Sequence, residues 1–170
     1  MTPSAAASAT GAFNDADVTF AQSMIPHHRQ AVQMAALADG RATDGEVKSL
    51  AGKIRAAQQP EIDTMTAWLD AWGRPASMPS MSVETHAAMG HGSMPGMMSD
   101  ADMTELTAAK GATFDKQFVT MMIAHHEGAV TMARQEMAEG SNPDATTLAE
   151  KIIADQQAEI TTMRGILQRL

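Results

Sequence analysis

The sequence has no cysteine and no tyrosine, and only 4% of it is aromatic. Without thiols there is no disulfide framework, no thiolate ligand and no cysteine nucleophile. Basic residues are also scarce: 12 Lys and Arg against 20 Asp and Glu leave a net charge of -8. Such a chain repels phosphate backbones and anionic lipid, which argues against nucleic acid as a partner. No apolar run approaches the roughly 20 residues of a membrane-spanning helix, so no membrane insertion is expected. No serine stands in a nucleophile-elbow context, and the Glu-x-x-His pairs of di-iron bundles do not occur. The first ten residues are small, polar and uncharged. They lack the basic and apolar regions of an intact signal peptide and look like the flexible start of an exported protein after processing.

Methionine, by contrast, is abundant at 16 of 170 residues. Flexible core filling accounts for methionine at helical spacing. It does not account for Met78, Met81, Met89, Met94, Met97 and Met98, which stand among Pro, Gly and Ser.

An internal repeat with an offset of 98 residues organises the chain. Phe20 matches Phe118, Met24 matches Met122, and His27-His28 matches His125-His126. Met34 matches Met132, Gln58 matches Gln156, Glu61 matches Glu159, and Met65 matches Met163. Each repeat reads as a helical hairpin. Helices are predicted over residues 15–38, 44–71, 113–138 and 143–168, with a short one starting after Ser99 and ending near Gly111. Pro26 and Pro60 fall inside the first two and are expected to kink them or free a carbonyl. The apolar stripes of the long helices predict an all-α four-helix bundle of two repeated hairpins. The domain reading is a flexible tail (1–14), a first hairpin (15–73), a mobile Met/His-rich linker (74–98), and a short helix with the second hairpin (99–170).

The six histidines fall in two adjacent pairs and in the linker, as His86 and His91. Both pairs lie on core-facing stripes. Neighbouring residues on a helix point about 100° apart, so the two histidines of a pair should diverge. Residues four apart do meet, which favours Met24 with His28, Met121 with His125, and Met122 with His126. Met65 and Met163 are the best-placed ligands from a facing helix, and Met34 and Met132 are further candidates. In the linker, His86, Met89, His91, Met94, Met97 and Met98 are spaced to wrap an ion. Thioether with imidazole favours Cu(I), and Ag(I) by similarity, while imidazole alone also accepts Cu(II) or Zn(II). Glu61 and Glu159 are candidates to orient the histidines as hydrogen-bond acceptors. Ser23 stands where the second repeat has Met121, so unequal sites are expected, the second segment binding more strongly.

The matching segments are Phe20-Ala-Gln-Ser-Met-Ile-Pro-His-His with Ala31-Val-Gln-Met-Ala, and Phe114-Asp-Lys-Gln-Phe with Met121-Met-Ile-Ala-His-His-Glu-Gly-Ala. With the Gln-x-x-Glu-Ile-x-x-Met segments at Gln58–Met65 and Gln156–Met163, they make the sequence resemble the DUF305 family. Ala124 departs from the proline the family often has there, present here as Pro26. The resemblance implies a ferritin-like bundle, export, and copper binding or resistance. The reading is therefore a non-enzymatic copper binder of the periplasm or exterior, serving sequestration or trafficking, with another copper-handling protein as a candidate partner. Two other classes compete with it: a ferritin-like metal oxidase, and a structural or interaction bundle with core histidines.

Overall fold

The computed structural model describes residues 11–76 and 94–170. Its helices are α1 (Asp15–Leu37), α2 (Gly45–Ala71), α3 (Asp100–Ala108), α4 (Gly111–Glu139) and α5 (Pro143–Arg169). Helix α1 packs chiefly on α2 and α4 chiefly on α5, and α1 meets α4 between the hairpins. The expected all-α bundle of two hairpins is present, and the long helices end within two residues of the predicted limits. Short α3 rests on α1 and α4.

Local chemistry explains where the helices begin. Asn14 caps α1 in a reciprocal box with Asp17, and Ser99 caps α3 in the same way with Asp102. Asp44 accepts from the first turn of α2, and Asn142, followed by Pro143, does the same for α5. The interior prolines do not interrupt their helices: α1 runs on through Pro26 and α2 through Pro60. Packing against a neighbouring helix offsets the single backbone hydrogen bond that each proline removes.

The repeats are tied together by one carboxylate each. Asp17 in α1 accepts from the backbone N–H groups of Ser141 and Asn142, both at 3.1 Å, just ahead of α5. Asp115 in α4, 98 residues later, accepts from Thr43 N–H at 3.1 Å and Asp44 N–H at 3.0 Å, just ahead of α2. It also accepts from the Thr43 hydroxyl at 2.7 Å. Each repeat therefore satisfies donors at the helix start of the other, in a reciprocal, two-fold-like arrangement. The matched aspartates at positions 17 and 115 are the sequence signal for it. Beside Asp17, the Glu136 carboxyl is pushed up to about 9 by burial and by that neighbouring carboxylate. Its counterpart in the first repeat is Ala38, so this pair breaks the symmetry.

Two apolar clusters build the core, and each draws on both repeats. One contains Met34, Phe114, Phe118, Met122 and Met163. The other contains Phe20, Met24, Met65, Trp68 and Met132.

Candidate metal centre

Histidines 27 and 28 on α1 and 125 and 126 on α4 are all buried. The rings of each pair separate, as adjacent helical positions must. His27 and His125 turn to each other across the contact between the repeats, their ring centroids 3.8 Å apart and their planes tilted by 32°. His28 reaches α2, where its Nε2 donates to Glu61 Oε2 at 2.6 Å. His126 makes the matching contact on α5, its Nε2 donating to Glu159 Oε2 at 2.5 Å. The glutamates thus hold the outer histidines in place through Nε2.

His27 Nε2 donates to the Pro95 carbonyl at 2.9 Å. The other inner ring has nothing comparable: among the described residues neither nitrogen of His125 has a hydrogen-bond partner. Nδ1 of His27, His28 and His126 is likewise without one, and so are the side-chain carbonyls of Gln58 and Gln156. A buried polar atom left unpaired costs about 1–3 kcal/mol, so this cluster of orphaned nitrogens is costly to fold. Burial holds His27 down to about 4, opposed by the Pro95 contact and reinforced by His28 and His126. His125 is held well below the usual imidazole range by burial and by the other three rings. Both inner imidazoles are therefore neutral at pH 7, with lone pairs free to bind an electrophile.

Methionines from both repeats meet in each apolar cluster of the core. Met24 and Met65 share a core cluster with Met132 of the other repeat, and Met122 and Met163 share one with Met34. The crossed placement of Met34 and Met132 was not legible in the helical stripes, because it depends on which hairpin faces which. All six are buried, whereas Met121 is only half-buried. Among the described residues no three His, Asp or Glu side chains are grouped to hold an ion.

Of the linker segment 74–98, His86, Met89 and His91 lie outside the described residues, and Met94, Met97 and Met98 lie within them. Residues 94–98 form a strap seated on the bundle. The Met98 N–H donates to Gln30 Oε1 at 2.8 Å, and Gln30 Nε2 donates to the Met98 carbonyl at 2.9 Å. Gln30, Pro95 and Gly128 escaped the sequence reading because a carbonyl contact and a close backbone approach leave no periodic pattern.

The match of residues 17–167 to the model of the domain of unknown function DUF305 decides the family. The chain belongs to the DUF305 family. Solved family members are close in structure. A candidate secreted DUF305 protein of Streptomyces coelicolor is 34% identical with a TM-score of 0.80, the match covering 91% of this chain and 93% of that one. A DUF305 fragment from Deinococcus radiodurans is 34% identical with a TM-score of 0.80, covering 94% and 100%. CopM in its Cu(I)-bound form is 32% identical with a TM-score of 0.74, covering 90% and 96%. CopM has also been solved with Cu(II) and with silver, and without metal. No curated protein matches the chain. Among the described residues of this DUF305 chain, no helix is long and apolar enough to cross a membrane.

Proposed function

We propose that this DUF305 protein binds copper as cargo, chiefly Cu(I), through the buried histidine layer and its flanking methionines. Silver(I) is its chemical mimic, and Cu(II) and Zn(II) bind more weakly because thioether sulfur favours soft ions. The role is sequestration or trafficking of the ion outside the cytoplasm rather than catalysis. One observation carries the reading: His125 is buried and neutral beside His27, and among the described residues neither of its ring nitrogens has a hydrogen-bond partner. The structures of CopM, a protein of similar fold and 32% identity, with Cu(I) and with silver bound support it.

The test is Cu(I) titration under reducing conditions against a chromophoric chelator. The wild-type chain should take up at least one equivalent, and the His27→Ala/His125→Ala variant should lose the tightest one while keeping its helical circular dichroism. Unchanged stoichiometry and affinity in the folded variant would sink the proposal. Oxygen consumption on adding Cu(I) or Fe(II) would instead support an oxidase.

A further inference from the structure

Residues 94–98 cross the bundle where the two inner histidines meet, and one side chain and two glycines fit them there. Gln30 lies three residues after His27 and clasps both the N–H and the carbonyl of Met98. Gly128 lies three residues after His125, and a Cβ there would fall 1.9 Å from the Pro95 carbonyl oxygen. Gly96 has a φ of +75° and sits so close to α4 that a Cβ would fall 2.4 Å from the Ala124 carbonyl oxygen. Between these anchors the Pro95 carbonyl takes the Nε2 proton of His27. Positions 30 and 128 are equivalent in the repeat, yet one side chain grips the strap and the other is missing to make room for it.

His27 is 0% and His125 1% exposed, so no ion reaches either ring while every segment stays in place. The helices around them are held by intrahelical hydrogen bonds along nearly their whole length, Pro26 lacking the donor for one of them. The strap is short and non-helical, and a few side-chain bonds hold it, so it is the segment that opens at least cost. Its own Met94, Met97 and Met98 are half-buried thioethers, suited to receive a soft ion on the way in.

We propose that this strap is the door to the His27/His125 pair, with Gln30 as its latch and Gly128 as its seat. Opening breaks the two Gln30 bonds and the His27–Pro95 bond, exposing the inner imidazoles. Gln30 acts through the strap, as a positioning residue. The inference rests on the copper reading for its purpose, but the motion can be measured without metal.

The experiment follows carbethoxylation of the metal-free protein by diethylpyrocarbonate, with each histidine resolved by mass spectrometry. Gln30→Ala should speed modification of His27 and His125 about tenfold, the factor for losing a pair of ordinary hydrogen bonds. Modification of His126 should stay as in the wild type, and helical circular dichroism should show the fold intact. Gln30→Glu keeps the acceptor for the Met98 N–H but loses the donor, so its effect should be smaller. Gly128→Ala should open the strap by collision with Pro95. Equal acceleration at all histidines, or none at His27 and His125 in any variant, would overturn the proposal. With Ag(I) loaded, loss of the ion to a thiol competitor should accelerate by the same factor in Gln30→Ala. If wild type takes up no Ag(I) while the variants still expose His27 and His125, the copper reading fails and the door stands.

Discussion

His27 and His125 meet at a centroid distance of 3.8 Å with their ring planes tilted by 32°, one histidine from each copy of the repeat. The pair is built at a thermodynamic disadvantage. Among the described residues, His125 finds a partner for neither ring nitrogen, and His27 for one.

A stability–function trade-off follows. His125→Leu removes two unpaired buried nitrogens and keeps the apolar volume, so it should stabilise the metal-free protein by about 1–3 kcal/mol. Urea denaturation measures this directly. The same variant should lose Cu(I) affinity, and a destabilised His125→Leu protein would show that an unseen partner satisfies the ring.

Acid should unfold the metal-free protein earlier than its carboxylates alone require. The folded value of His27 is held down to about 4, below its unfolded 6.5. The unfolded state therefore binds protons first, and stability present above pH 6.5 is lost as pH falls toward 4. For His27 this amounts to at most about 3 kcal/mol, and His125 adds in the same direction. Melting temperatures between pH 7 and 4 should fall less steeply in a His27→Phe/His125→Leu variant.

The opposite slope belongs to Glu136, whose carboxyl is raised to about 9 beside Asp17. Its stabilisation is fully present below an unfolded value near 4.5 and is lost as pH rises through 9. Glu136→Gln keeps the uncharged form at every pH. Its advantage over wild type should grow from pH 5 to pH 9.5 in calorimetry, and a constant difference would refute the assignment.

Asp17 and Asp115 should matter more than surface carboxylates. Asp115→Ala strands the N–H groups of Thr43 and Asp44 and the Thr43 hydroxyl. The expected loss is about 3 kcal/mol, from several charge-assisted bonds. Asp17→Ala should cost a similar amount through Ser141 and Asn142. Chemical denaturation of both variants checks this, and a loss within the range of an exposed aspartate would contradict the cross-repeat role.

Glu61→Gln and Glu159→Gln should leave the fold intact and weaken Cu(I) binding by about tenfold to a hundredfold, as expected when the carboxylate orienting a liganding imidazole is neutralised. Competition titration reads the change. Glu61 also faces Lys151 Nζ at 3.4 Å, so its carboxylate is shared and its substitution should have the smaller effect.

The sequence by itself determined the helices, their pairing into hairpins, and the burial of both histidine pairs. Those follow from a period of 3.6 residues, capping chemistry and the 98-residue repeat, all local or self-similar signals. The divergence of His27 from His28 was legible too, because it depends only on helical geometry. What faces what was not legible. That His27 meets His125, that Met34 joins Met122 and Met163, and that Asp17 serves the start of α5 all depend on how two hairpins dock. Docking is a long-range choice, made by the fit of whole faces, and no window of sequence contains it. The strap shows the same limit. Among Pro, Gly and Met residues without periodicity, only the tertiary structure decided that a carbonyl at Pro95 would lie against His27 and that the missing Cβ of Gly128 would let it do so.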